Sequence, residues 1–391
     1  MARAGIPRLY YITHINNVPS ILTRGILSHE SIEKEAISYT PIYDAQIVAN
    51  RRERQTPDGK SLWSFANLYF QARNPMLYRV LCEKPITDVV VLEVQPTILN
   101  GMNIFISTGG LGSHYSEILP ASKGKRMIPQ IRKATDKEWW KAEDGSKREM
   151  MAECLVPDVI PPDSISAIYV ASYDVASAVK AMLPQSNLYI IPQPKMFFRP
   201  ERKKTITTHL SLVEGDMFFS RMNTLTISVN CVGIMGKGLA SRAKYQVPDM
   251  YVLYQDLCRK RILQMGKPYL YKRETSFDYQ LADEPETLTS ANAETWFLLF
   301  PTKQHWRERA DIHGIEEGLQ WLRDNCTKED IKSLAIPALG CGLGWLEWRD
   351  VGPLLCRYTY PMKVPVEIYL PTEKKIPDEF LSKEFLLAQV D

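Results

Sequence analysis

Four short stretches of this 391-residue chain hold residues whose types and spacing invite chemistry. In MMAECLVPD, Glu153 is a carboxylate inside an apolar run, where an anion is costly unless it is paired or used. It is a candidate for work at a reacting centre. In NRRERQTPDG, Arg51 belongs to a charged run whose default is a solvated helix face, and the sequence alone does not separate it from Arg52. In TWFLLFPTKQHWRERAD, Lys303 follows an apolar strand, so its ammonium emerges at the strand's carboxyl edge. By itself it also reads as a surface lysine opening a solvated, polar segment. In ISVNCVGIMGKGLASRAK, Ile227 to Lys244, apolar strand residues run into glycines and then into an amphipathic helix. That order suits an anion, because glycines let the backbone approach and a helix N-terminus presents unpaired N–H groups. A Walker loop is excluded, since Lys237 is followed by Gly238, and a dinucleotide fingerprint is excluded, since Ser241 replaces the third glycine. A plain strand-to-helix turn stays open on these residues alone.

The elements that must position these residues fall in two halves. From Pro192 to Thr208 the sequence PQPKMFFRPERKKTITT has three prolines, a basic cluster and no hydrophobic period, which predicts a linker or seam. Its RPERKK is read as a solvated turn ahead of a nucleic-acid patch. After it, strand-like runs (LSLVEG, TLTISVNCVG, TWFLLFPTK, SLAIPAL, VEIYLP) alternate with helical patterns, which predicts a three-layer α/β/α unit with ligands at the carboxyl ends of the strands. Before it, LYYITH, TDVVVLEV, SISAIYVAS and NLYIIPQ read as strands of an α+β unit, with a helix around NVPSILTRG. The expected domains are 1–200 and 208–391, with 201–207 as linker. A net charge of +3 permits a nucleic-acid partner without requiring one. Seven scattered cysteines with no C-x-x-C pair suggest neither disulfides nor a zinc site, and no apolar run approaches a signal peptide or a membrane span. A cytoplasmic, metal-free monomer is expected.

Four pieces of the second half occur together: EGDMF (214–218), VNCVGIMGKGLA (229–240), FPTKQHWR (300–307) and IPALGCGLGW (336–345). This half resembles a macrodomain, most closely the DarG-type antitoxins whose glycohydrolase removes ADP-ribose from DNA. The resemblance implies that the anion is the diphosphate of ADP-ribose. It implies adenine recognition by Asp216 beside Met217 and contact of Asn230 with the distal ribose. It also implies a clamp made by Gly233, Met235, Gly236 and Gly238 on one loop and Gly340, Cys341, Gly342, Leu343 and Gly344 on the other. Lys303 is then the catalytic residue, a neutral amine able to attack the anomeric carbon or assist ring opening. Related human-type hydrolases pair this lysine with an aspartate, whose place Gly344 takes here, as in the DarG branch.

The first half offers YYITHINNVPSILTRGI, NRRERQTPDG, LYFQARNPMLY, GSHYSEI and KREMMAECLVPD. Together they resemble the DarT family of DNA ADP-ribosyltransferases. The resemblance implies an ADP-ribosyltransferase fold in which His14, Asn17 and Gly25 bind NAD, Arg51 steadies the diphosphate or the attacking base, and Tyr69 lines the nicotinamide pocket. Met76 packs near the bound groups, His114 lies on the substrate side, and Glu153 is the catalytic carboxylate. Between Gly59 and Tyr69 the chain is shorter than in relatives, and the loop STGGLGSH is glycine-rich. In RKATDKEWWK, Trp139 and Trp140 read either as a stacking platform for single-stranded DNA or as a partly buried pair.

A fused toxin and antitoxin is therefore expected, one half writing ADP-ribose from NAD onto single-stranded DNA, thymidine favoured over guanosine, and the other erasing it. The alternatives are a macrodomain that only reads ADP-ribose, or a transferase acting on protein or RNA. Only a short tail follows EIYLP, so protection is expected to rest on hydrolysis alone.

Overall fold

The computed structural model describes residues 8–43, 51–289, 294–372 and 374–388. The chain divides into two compact units, residues 1–198 with 278–291, and residues 199–277 with 292–391.

The first unit is built on an eight-stranded sheet. Its strands are β1 (Leu9–His14), β3 (Phe65–Tyr69), β4 (Val89–Val94), β5 (Phe105–Ser107), β6 (Ile118–Pro120), β7 (Glu153–Pro157), β9 (Ile165–Val170) and β10 (Tyr189–Pro192). Their order is β10-β9-β4-β1-β3-β7-β5-β6, and a separate pair joins β2 (Ile26–Leu27) to β8 (Val159–Ile160). The run VVVLEV becomes a central strand because nearly all of it is buried on both faces. β1 pairs with it antiparallel, from Leu9 opposite Val94 to His14 opposite Val89. The helices Val18–Arg24, Ala121–Thr135 and Tyr173–Met182 place Ile21, Ile128, Ile131, Val175 and Val179 in the same core as Leu68, Leu92, Cys154 and Ile168.

The second unit has a seven-stranded sheet of β11 (Arg202–Thr205), β12 (Leu210–Glu214), β13 (Thr224–Asn230), β14 (Tyr269–Tyr271), β15 (Trp296–Lys303), β16 (Leu334–Pro337) and β17 (Val366–Tyr369). The order is β11-β12-β17-β16-β13-β15-β14. The five inner strands run parallel, and both edges are antiparallel. The helices Ile312–Asn325 and Trp348–Thr359 share one core with Leu212, Phe300, Ile336 and Ile368. The helix that starts at Gly238 ends at Gln246, because Pro248 cannot continue a helix and instead starts the next one, Pro248–Arg259. Parallel strands carry their connecting loops at one end, so the segments after Asn230, Lys303 and Pro337 gather at the carboxyl edge.

Two expectations about the division need correction. Residues 201–207 are not a linker: Arg202–Thr205 form the edge strand β11, paired antiparallel with β12. An edge strand exposed on its side chains needs no hydrophobic period, which is why its basic residues read as a turn. The first unit is also discontinuous, since it includes residues 278–291 from within the expected second domain.

Candidate active sites

In the first unit the centre is a buried ion pair. Glu153 opens β7 and is 2% exposed. It sits directly opposite Tyr69 of β3, and residues so paired present their side chains to one face of the sheet. Arg51 donates from Nη2 to Oε2 of Glu153 at 2.9 Å and from Nη1 to Oε1 at 3.5 Å. The Leu111 N–H donates to Oε1 at 3.3 Å, and the Glu153 N–H donates to Oγ of Ser107 at 2.8 Å. A carboxylate this deep persists only with such partners, and removing one of them from a buried pair typically costs about 3–5 kcal/mol. Burial, reinforced by the charge of Glu153, holds the Tyr69 phenol well above its usual range, so it stays a neutral donor.

The arginine run is resolved by these distances. Arg51 reaches Glu153, whereas Arg52 pairs with Glu33 and lies over Trp63 at 4.6 Å. Arg54, which sequence reasoning did not single out, donates to the carbonyls of Leu111, Ser113 and Ser116 at 2.5, 2.7 and 2.5 Å. It thereby folds the loop 108–116 beside Glu153. His29 was missed as well: it stacks on Trp63 with centroids 4.4 Å apart and meets the Tyr43 hydroxyl at 3.1 Å. Burial, then the charge of Arg51, lowers its pKa to about 4, so the imidazole is neutral near pH 7. Nothing in the spacing of His29 or Arg54 marks them.

Other expected residues do different work in the described structure. His14 accepts the Asn16 N–H through Nδ1 at 3.1 Å, with Asp88 Oδ2 3.8 Å from its Nε2. The Asn17 amide clips both backbone groups of Thr40, at 2.8 Å each. Gly25 has φ +93, and a Cβ there would stand 2.4 Å from the Ile160 carbonyl, so glycine is required for close packing. Met76 is half-buried in the first turn of the helix Pro75–Glu83, and His114 is exposed on the loop held by Arg54. Trp140 is fully buried, with Nε1 donating to the Leu281 carbonyl at 2.9 Å, which rules it out as a DNA platform.

The second unit gathers its residues at the carboxyl ends of β13 and β15, where Asn230 and Lys303 are register partners. Asn230 is 6% exposed, and its amide organises the first glycine loop: Nδ2 donates to the Ile234 carbonyl at 2.6 Å, and Oδ1 accepts the Val232 N–H at 3.0 Å and the Tyr254 hydroxyl at 2.9 Å. Gly233, Gly238 and Gly340 have positive φ, and Met235 anchors its loop at 2% exposure. At Gly236 a Cβ would meet nothing within 4 Å, whereas at Gly344 it would stand 2.5 Å from the Gly340 carbonyl. A Cβ on Gly238 would lie 3.4 Å from Leu343, which sets the two loops face to face. Lys303 Nζ donates to the Leu343 carbonyl at 3.0 Å and lies 5.8 Å from the ring centroid of Trp345. Burial lowers its pKa below the usual lysine value, against the opposing charge of Glu308. Asp216 caps the turn Met217–Phe219, with Met217 buried, and binds Arg242 Nη1 through both oxygens at 2.8 and 2.7 Å. The Cys341 thiol is pushed up to about 12 by burial and is no nucleophile near neutral pH, so within this loop its backbone is the useful part.

The two centres are therefore a buried arginine–glutamate pair in the mixed sheet of the first unit, and two facing glycine loops with Lys303 at the carboxyl edge of the second unit's sheet. Comparison with known proteins gives the family. Residues 10–198 match the family described as ssDNA thymidine ADP-ribosyltransferase, DarT. A protein of Thermosipho africanus, a DNA ADP-ribosyl transferase–DNA ADP-ribosyl glycohydrolase fusion protein, is 56% identical over 381 residues, 97% of this chain and 98% of its own. The structure of Thermosipho africanus DarTG in complex with ADP-ribose superposes with a TM-score of 0.93 at 55% identity, covering 97% of this chain and 100% of that one. A DNA ADP-ribosyl glycohydrolase of Thermus aquaticus is 32% identical over 165 residues, 42% of each chain. This chain belongs to the family of DNA ADP-ribosyl transferase–DNA ADP-ribosyl glycohydrolase fusion proteins, as the motifs of its two halves led one to expect. Among the described residues no helix is long and apolar enough to cross a membrane, and no group of three or more His, Cys, Asp or Glu side chains is arranged to hold a metal.

Proposed function

We propose that the first unit transfers ADP-ribose from NAD to thymidine in single-stranded DNA and that the second hydrolyses the same bond, so that one chain writes and erases one mark. The observation that supports it most is the buried Arg51–Glu153 pair facing Tyr69, in a chain that also carries Lys303 against the second of two facing glycine loops. In the writing step the bond from C1 of the ribose to nicotinamide breaks and a bond from C1 to the base nitrogen forms. Glu153 takes the proton of that nitrogen, and its charge offsets the positive charge that develops at C1. Arg51, already aligned by Glu153, supplies a bidentate donor to the diphosphate or to the base as it loses its proton. Tyr69, kept neutral, lines the nicotinamide side.

In the erasing step the backbone N–H groups of the two loops hold the diphosphate without a metal. Asp216 accepts from the adenine amino group, with Arg242 fixing its orientation. Lys303, whose burial favours the neutral amine, bonds to the anomeric carbon as the base departs with its electron pair and regains a proton; water then releases ADP-ribose and restores the amine.

The test is growth and DNA adduct level in cells expressing the full chain. Lys303→Ala is expected to make a tolerated protein toxic, with ADP-ribosylated thymidine accumulating, and added Glu153→Ala is expected to abolish both effects. Unchanged growth without adducts for Lys303→Ala would contradict the proposal. Incubation of the purified Lys303→Ala chain with NAD and single-stranded DNA, duplex DNA, RNA or protein should add mass to single-stranded DNA alone.

A further inference from the structure

The first unit includes residues 278–291, which lie within the sequence of the second. Buried bonds tie this segment in. Tyr78 Oη donates to Oδ1 of Asp278 at 2.7 Å, 200 residues along the chain, with both residues buried. Trp140 donates to the carbonyl of Leu281, both fully buried. Arg79, 5% exposed, donates to the carbonyls of Asp283 and Glu284 at 3.3 and 2.8 Å, and the Asp283 N–H donates to the Pro75 carbonyl at 3.1 Å. Glu284 is held at φ +41, a conformation that a non-glycine residue keeps only where its surroundings enforce it.

The same turn reaches the transferase centre. Asp283 acts electrostatically on Tyr69 and is acted on by Glu153. A Cβ on Gly112, in the loop that Arg54 folds beside Glu153, would lie 3.5 Å from Oε1 of Glu284. The turn therefore runs from the helix Pro75–Glu83 to the loop 108–116, the loop whose Leu111 N–H binds the Glu153 carboxylate.

We propose that Asp278–Leu288, although it lies in the sequence of the glycohydrolase half, is a positioning element of the transferase centre, so that writing depends on chain belonging to the eraser. This rests on the transferase reading of the first unit. A truncation that deletes the eraser then also removes a wall of the toxin's own site, and no eraser-free toxin arises from this chain by loss of its second half. When ionised, Asp283 adds a negative charge that acts on Tyr69, the residue paired opposite Glu153. Burial first, then Glu284 beside it and Glu153 of β7, push its carboxyl up to about 6, against Lys147 of the turn Ser146–Glu149 and Arg79 of the helix Pro75–Glu83. Writing should therefore quicken as pH rises through about 6, where Asp283 ionises.

The experiment replaces residues 279–288 of the full chain by glycine and serine at equal length and measures two activities. Transferase activity on single-stranded DNA is expected to fall about 100-fold, while removal of ADP-ribose from premodified DNA stays within about twofold. A loss in the first unit's activity, caused by changes in the second half's sequence, is the distinctive result, and wild-type writing would overturn the inference. Asp283→Asn, which keeps the backbone bonds, separates positioning from propping: the rise in rate near pH 6 should disappear, and its persistence would overturn the inference even if the glycine–serine chain fails to fold. Normal writing by a Glu153→Ala chain would show that the transferase centre itself is misassigned. A silent Glu153→Ala chain together with normal writing by the glycine–serine chain would reject only the role given to the segment.

Discussion

The two centres are built from different parts of the polypeptide. In the first unit the groups proposed to react are side chains: Arg51 and Glu153, 102 residues apart, meet in a buried pair, and Tyr69 joins them through strand pairing. In the second, most of the expected ligand contacts are backbone N–H groups on two loops, and the side chain proposed to react is Lys303, which binds the Leu343 carbonyl. Writing a glycosidic bond to a weakly acidic ring nitrogen needs a base, and a base needs an environment. Holding a diphosphate needs only preorganised donors. The first kind of site fails when one side chain is lost. The second fails when the backbone can no longer approach the ligand.

That contrast can be broken most severely at Glu153. Glu153→Gln keeps the shape and loses the base, so writing should fall by about 10²–10⁴-fold while erasure of premodified DNA is unchanged; adduct mass spectrometry on both reactions checks it. Next is Gly344→Ala, where a single Cβ would stand 2.5 Å from the Gly340 carbonyl and 2.7 Å from Ala310. It should destabilise the loop by about 1–3 kcal/mol and weaken ADP-ribose binding by calorimetry, whereas Gly236→Ala, with open space around it, should leave the melting temperature alone.

A smaller effect separates neighbouring arginines. Arg51→Lys should cut writing about tenfold, because a point charge does not reproduce the fork on Glu153, and Arg52→Lys on the exposed pair with Glu33 should change it little. Equal losses would mean that the Arg51–Glu153 pair is not the working geometry. The pH dependence of erasure follows from Lys303. Its folded pKa lies below the usual 10.5, so the neutral amine becomes more abundant as pH rises through the depressed value. Erasure should accelerate with pH there, and the penalty of protonating Lys303 in the fold should make the second unit less stable as pH falls through the same window. The smallest effect is expected at Trp345, 63% exposed beside Lys303 and held at φ +58. Trp345→Gly should relax the backbone yet slow erasure on DNA about fivefold by removing a stacking surface for the base, with binding of free ADP-ribose unaltered.

The alternation of strands and helices after Thr208, the break at the seam and the glycine loop at Gly233–Gly238 were legible because each is written in neighbouring residues. Composition and periodicity report local conformation. Glu153 stood out for a similar reason, as a carboxylate in an apolar run. Sequence did not separate Arg51 from Arg52, since both lie in one charged run, and the choice is made by which guanidinium the fold turns toward β7. Arg54 and His29 carried no signal, because their partners are carbonyls and rings brought close only by folding. The edge strand β11 passed for a linker because an exposed strand needs no apolar alternation.

What the sequence by itself determined is a pair of candidates: a carboxylate in an apolar run that had to be paired or used, and a glycine loop between strand and helix that suits an anion. What only the tertiary structure decided is which residues share a site. Trp140 went to the core because the Leu281 carbonyl waits for its N–H, and residues 278–291 joined the first unit although they are written inside the second. A buried donor is satisfied by whichever acceptor the fold brings within about 3 Å, and separation along the chain does not enter that energy.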